Sequence, residues 1–288
     1  LTIGVVFKGI SKGVERWSRI LMPALFIMML ILLGKAIFMD GFSQAFQFVF
    51  GFNALKFSSV GALKALGQAF FSLSLGMGAM LTYGSYLRNQ DGIVEASVTI
   101  SILDTAIALI SSLILFPIIF SYGMEPAAGP GLVFISIPIA LSQMGSTTIF
   151  GTLFFALLVF AALTSAISML EVSTSYLIDE KKWSRKRATV AAGLAAGLFG
   201  IPSALSSGNW IFGSGLISLI GKNWFDSLDY LASNWMLPFG GLGIAIFTAW
   251  RMNEALRSKS FLSGSNLRIF YKTWLLLLKF LVPIAIVL

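Results

Sequence analysis

Long, nearly uncharged apolar stretches dominate this chain, and about 20 consecutive residues of that kind are what an α-helix needs to cross the hydrocarbon core of a bilayer. Bounded by charges and helix breakers, they lie near 20–40, 64–87, 93–119, 149–178, 188–206, 229–250 and 270–288. Seven crossings are expected from them. The composition agrees. Of 288 residues, 57% are hydrophobic and only 11% charged, against about 25% charged in an ordinary globular domain. Too few polar side chains remain to solvate a surface, so lipid must be the solvent for much of the chain and the expected fold class is all-α.

The net charge of +8 would suit nucleic acid if it lay on a water-exposed domain with interleaved aromatic residues. No such region is visible, and nucleic acid is not expected as a partner. The basic residues crowd instead into every second loop. Lys8, Lys12, Arg16 and Arg19 precede the first span, Arg88 follows the second, Lys181, Lys182, Arg185, Lys186 and Arg187 follow the fourth, and Arg251, Arg257, Lys259 and Arg268 follow the sixth. The positive-inside rule then makes the start of the chain and the loops at 88–92, 179–187 and 251–269 cytoplasmic. Cysteine and histidine are both absent, which removes disulfides, thiol nucleophiles, Ser-His-Asp triads and the commonest zinc chemistries. An enzyme is not expected.

The apolar stretch from Leu1 to Phe7 is too short to span or to act as a signal peptide. It reads as the end of a helix that begins upstream, so the chain is expected to be a single transmembrane domain fragment over 1–288. Residues 120–148 carry Pro126, Pro130 and Pro138 between apolar stretches, which suggests an outer cap of short broken helices. No internal repeat of 20–50 residues is detectable.

Three places keep polarity at membrane depth. In the second span, Ser72 and Ser74 precede Gly76 and Gly78. Two glycines so close weaken a helix by roughly 1 kcal/mol each. The result is either an unwound segment that offers backbone groups to a ligand or a small-residue packing face. Asp104 sits deep in the third span and reads as the only acid so placed. It needs a partner there, either a bound cation or, if protonated, a neighbouring helix. In the fourth span Ala161, Thr164 and Ser165 share a helical face with Met169 one turn further on. Their oxygens suit a hard cation such as Na⁺, or serve as interhelical hydrogen-bond glue.

The stretch GQAFFSLSLGMGAMLTYGSY at 67–86 resembles the unwound sixth helix of the neurotransmitter:sodium symporter family, which has the LeuT fold, and in particular its bacterial members that carry hydrophobic amino acids. The resemblance runs through the whole chain, from the end of the family's helix 4 to its helix 11. It implies an inverted-repeat fold represented by its second repeat plus helix 11, with helices 1–4 of the same protein missing. By that resemblance Phe71 matches the aromatic lid over the substrate and Ser72 a ligand of the first sodium. Ser74, Leu75, Gly76, Met77 and Gly78 match the unwound segment. Asp104 falls where an Asn usually ligates the first sodium, and Ala161, Thr164 and Ser165 fall on ligands of the second, with Ser165 and Met169 also beside the substrate. Asp229 and Asp179 match the extracellular and cytoplasmic gate acids, and Tyr86 the tyrosine beside the inner gate. Gly13 and Pro23 match a Gly-to-Pro motif linked with release of the second sodium.

Where some relatives use a helix-7 serine to hold chloride, this chain has Ala108. The charge of Asp104 can substitute for that anion, so chloride is not expected as a cofactor. The resemblance implies a symporter that imports hydrophobic amino acids with Na⁺ at two sites, by alternating access, in the plasma membrane (the bacterial inner membrane). Two other readings stay open: a proton-driven relative in which Asp104 titrates, and a membrane receptor that binds the amino acid without moving it.

Overall fold

The computed structural model describes residues 1–51, 58–87, 92–126, 129, 131–143, 147–206, 208, 210–263 and 268–287. The loop residues 88–91, and residues 127, 128, 130 and 144–146 of the expected cap, lie outside that set. Every regular element among the described residues is helical. In chain order they are α1 (Thr2–Phe7), α2 (Arg16–Ile37, entered through a π-turn at Ile10–Glu15), α3 (Phe42–Phe50), α4 (Ser59–Ser72), α5 (Ala79–Gly84), α6 (Ile93–Ser121), α7 (Leu132–Ser142), α8 (Thr147–Asp179), α9 (Arg185–Leu205), α10 (Ser214–Ile220), α11 (Trp224–Arg251) and α12 (Glu254–Leu262). The segments Tyr271–Leu276, Leu277–Leu281 and Val282–Val287 run on without a break as α13.

Among the described residues, five helices are long and apolar enough to cross a membrane: Lys12–Ile37, Ile93–Ser121, Thr148–Asp179, Arg185–Leu205 and Trp224–Arg251. Their flanks carry large apolar side chains turned outward, Leu198 being 70% exposed, an arrangement that suits lipid and not water. The stretch expected as one span at 64–87 is divided into α4 and α5 with an irregular stretch between.

Several π-turns have a local cause. Those at Leu132–Ser136, Ala232–Met236 and Leu277–Leu281 each end two residues before a proline, Pro138, Pro238 and Pro283. A proline inside a helix clashes with the carbonyl four residues back and supplies no N–H. The widened turn moves that carbonyl aside and the helix continues.

The chain forms two compact units, Leu1–Lys56 with Leu103–Glu171 and Phe57–Ile102 with Val172–Leu288. In the first, Met29 and Leu32 of α2, Ile114, Ile118 and Ile119 of α6, Ile137, Ala140 and Leu141 of α7 and Phe154 of α8 make one apolar core. There α7 buries one face against its neighbours, and Gly41 donates its backbone N–H to Ser121 Oγ at 2.9 Å. The second unit is tied at the end of α11 by Arg257, which is 7% exposed. Its guanidinium donates to the Thr248 and Ala249 carbonyls at 3.1 and 2.9 Å and to Tyr271 Oη at 3.0 Å. Tyr271, Trp274 and Phe261 pack as an aromatic cluster beside it.

Candidate functional site

The break between α4 and α5 has identifiable local causes. Leu75 donates its N–H to the Phe70 carbonyl at 2.8 Å and Ser74 donates to the Phe71 carbonyl at 3.0 Å. These are the paired bonds of a Schellman stop. The residue that must turn left-handed in that motif is usually glycine, and here it is Ser74, at φ 54°. Gly76 and Gly78 follow at φ 81° and 85°, conformations that glycine adopts without the Cβ penalty. A non-glycine residue in that region is mildly strained, and such strain collects at ligand-binding segments.

Among the described residues, the N–H and C=O groups of Gly76 and Met77 enter no backbone hydrogen bond, whereas Gly78 accepts from Thr82 at 2.9 Å to begin α5. Peptide dipoles left open at membrane depth are tolerated where they line a cavity or meet a ligand. The segment is pressed against α11. A Cβ on Gly76 would overlap the Leu237 carbonyl oxygen and lie 2.9 Å from Gly241 N.

Two clefts flank this break within the second unit. On the α4 side, one of about 480 Å³ is bounded by Lys64, Gln68, Phe71, Asp229, Ser233 and Asn234, and Ser233 Oγ donates to the Asp229 carboxylate at 3.3 Å. On the α5 side, one of about 870 Å³ is bounded by Met77, Gly78, Ser85, Ser175, Tyr176 and Asp179. Tyr86 shares a 2.7 Å hydrogen bond with Ser175 of that wall. The fold thus brings Phe71 to Asp229, and Met77 and Gly78 to Asp179. Ser72 closes α4, and Leu75 lies between the two left-handed turns.

In the first unit Asp104 lies on α6 and the hydroxyl group on α8. Thr164 Oγ1 donates to the Ala161 carbonyl at 2.8 Å, and Ser168 Oγ donates to the Thr164 carbonyl at 3.0 Å. A hydroxyl that spends its hydrogen on its own helix keeps its lone pairs for an electron-poor partner. Ser165 and Met169 follow on the same helix, Met169 being half exposed. Gly13 lies in the π-turn before α2, where a Cβ would overlap the Val5 carbonyl oxygen, and Pro23 lies inside α2.

Asp104 is not the only deep acid. Glu171 of α8 is 0% exposed, and Thr174 beside it is buried with its hydroxyl unpaired among the described residues. Glu171 sits eight residues before Asp179 in the sequence and was not anticipated as a deep acid. The uncharged run from Thr147 to Leu170 is the signal that marks it as intramembrane. Buried Arg257 was likewise read only as a loop charge, and Lys279 falls inside α13. Among the described residues no three acid, histidine or cysteine side chains gather as a metal cluster. The oxygens on offer are carbonyls, hydroxyls and single carboxylates.

A family model described as the sodium:neurotransmitter symporter family matches residues 1–276. The uncharacterized sodium-dependent transporter YhdH of Bacillus subtilis is 37% identical over 100% of this chain and 63% of its own length. A sodium-dependent transporter of Haemophilus influenzae, also uncharacterized, is 33% identical over 98% of this chain and 61% of its own. The chain therefore spans a little under two thirds of the length of these curated relatives. Among solved structures, the crystal structure of MhsT in complex with L-phenylalanine superposes with a TM-score of 0.87 at 41% identity, covering 99% of this chain and 64% of that one.

Proposed function

The chain belongs to the sodium:neurotransmitter symporter family, and we propose from that premise that the full-length protein imports hydrophobic amino acids together with Na⁺ by alternating access. The fold is all-α, multi-pass and LeuT-like. The observation that carries the proposal is the break at Leu73–Gly78, with its left-handed Ser74, Gly76 and Gly78 and the open peptide groups of Gly76 and Met77. Such a segment meets the charged ends of an amino acid and a cation with fixed dipoles and no net charge of its own. MhsT, bound to L-phenylalanine in its crystal structure, supports the substrate class.

On this reading Phe71 covers the substrate, and Ser74, Leu75, Gly76 and Met77 hold it, with Ser165 and Met169 contributing from α8. Ser72 and Asp104 are ligands of one sodium, and Ala161, Thr164 and Ser165 of a second. Asp229 and Asp179, each at its own cleft, are gate acids, Tyr86 steadies the inner one through Ser175, and Gly13 and Pro23 let α2 yield during release. The carboxylate of Asp104 stands in for chloride, making transport chloride-independent. The domain is a single transmembrane transporter domain in the plasma membrane, with the start of this chain cytoplasmic.

The test is uptake of radiolabelled L-phenylalanine and L-leucine by the full-length protein in liposomes. An inward sodium gradient should drive accumulation, a pH gradient alone should not, and replacing chloride with gluconate should change nothing. Accumulation driven by protons without sodium would move the protein to the proton-coupled alternative. Saturable binding with no uptake under any gradient would make it a receptor.

A further inference from the structure

Helix α11 carries Gly240, Gly241 and Gly243 in the sequence LPFGGLGIAI, although glycine is the poorest helix former after proline. Small residues often serve only to let membrane helices approach, but the three positions differ in what they meet. A Cβ on Gly240 would overlap the carbonyl oxygen of Gly76 and lie 2.9 Å from its carbonyl carbon and 3.1 Å from its Cα. A Cβ on Gly241 would overlap the ring of Phe70, the neighbour of Phe71. A Cβ on Gly243 would meet nothing within 4 Å. The contact is reciprocal, since a Cβ on Gly76 would strike the Leu237 carbonyl oxygen. Backbone thus rests directly on backbone at the left-handed residue in the middle of the break.

We propose that Gly240 and Gly241 are positioning residues for the unwound segment: the bare face of α11 sets the depth at which Gly76 and Met77 lie and holds Phe70, and through it Phe71, in place. The inference rests on the reading that this segment binds substrate. Three features support it. The seat is backbone and cannot swing aside as a side chain would. Among the described residues Gly76 enters no backbone hydrogen bond that would fix it, so the neighbouring helix must. The π-turn at Ala232–Met236 and Pro238 lie between this seat and Asp229 on the same helix, so a hinge separates the two functional points.

The test uses the full-length protein in liposomes with L-phenylalanine and sodium as probes, at matched amounts of folded protein. Gly240→Ala should raise the half-saturating concentrations of phenylalanine and of sodium at least tenfold. Gly241→Ala meets only a rotatable ring and should raise that of phenylalanine about three- to fivefold. Gly243→Ala, on the same helix with open space, should match wild type. A purely structural role would lower the amount of folded protein and its thermal midpoint while leaving both half-saturation values unchanged, and that result would overturn the proposal. If Gly240→Ala does not fold, Gly241→Ala decides alone: unchanged phenylalanine half-saturation overturns the proposal. Wild-type protein that shows no sodium-driven uptake would instead sink the transport reading itself, so the two failures are distinguishable.

Discussion

Thr164 shows how much one side chain can be asked to do. Its hydroxyl hydrogen is committed to the Ala161 carbonyl at 2.8 Å, so only lone pairs face away from the helix, and the ligand it offers is neutral. A neutral ligand contributes about as much as one ordinary hydrogen bond, roughly 1 kcal/mol, or about fivefold in affinity. Thr164→Val keeps the shape and removes the oxygen. It should raise the sodium concentration for half-maximal uptake about fivefold and leave the thermal midpoint nearly unchanged, and an unaltered sodium dependence would return Thr164 to helix packing. Asp104, proposed as a ligand of the other sodium, is the contrasting case because a carboxylate there brings a negative charge to the ion. Asp104→Ala should abolish sodium-dependent substrate binding in an equilibrium assay. Asp104→Asn should keep part of it and acquire a chloride requirement, since the missing negative charge must then be imported. Wild-type sodium affinity in the Ala variant would dismiss the assignment. Both residues were legible as polar groups in apolar windows. Glu171 was not singled out, although the uncharged run from Thr147 to Leu170 before it marks it as intramembrane, and its side chain is fully buried.

At the scale of elements, the end of α11 depends on a residue outside it. The last carbonyls of a helix have no partner within it, and in this protein Arg257 of α12 supplies donors to those of Thr248 and Ala249 while also holding Tyr271. Arg257→Ala should destabilise the detergent-solubilised protein by about 2–3 kcal/mol, because charge-assisted bonds are lost and buried acceptors are stranded. A thermal midpoint lowered by several degrees, with sodium half-saturation unchanged in the surviving folded protein, is the expected outcome. No shift in midpoint would show that water replaces the guanidinium at no cost. The break between α4 and α5 was half legible. Gly76 and Gly78 announce a weak helix, but the stop itself is made by Ser74 in a left-handed turn, for which serine gives no signal. The π-turns were also hidden, since hydropathy has no period for them, yet Pro138, Pro238 and Pro283 lie at a constant offset beyond three of them. What pattern could not supply was contact between segments distant in sequence, as where Gly240 supports Gly76.

At the scale of the whole molecule, the breadth of substrates follows from which side chains surround the open peptide groups. On the proposed function, the fixed dipoles of Leu73–Gly78 address the ammonium and carboxylate that every amino acid shares, so discrimination falls to the side-chain end. Met77 borders the cleft on the α5 side and Phe71 the cleft on the α4 side, and the proposed function assigns both, with Met169, to the side chain of the substrate. Methionine is unbranched and polarizable and makes favourable contacts with aromatic rings, so such a lining can repack around both branched and flat ligands. None of the three can pair with a charge, and an unpaired buried charge is costly. Leucine, methionine, phenylalanine and tryptophan should therefore each compete for sodium-driven uptake of labelled phenylalanine, while lysine and glutamate at the same concentration should compete little. Met77→Phe stiffens the lining and fills it. It should weaken tryptophan about tenfold and leucine by no more than about twofold, since overpacking penalises the largest ligand first. Competition curves for the four substrates, measured side by side in wild type and Met77→Phe, provide the check. Strong inhibition by glutamate, or an equal loss for every substrate in the variant, would show that Met77 does not face the side chain of the transported amino acid.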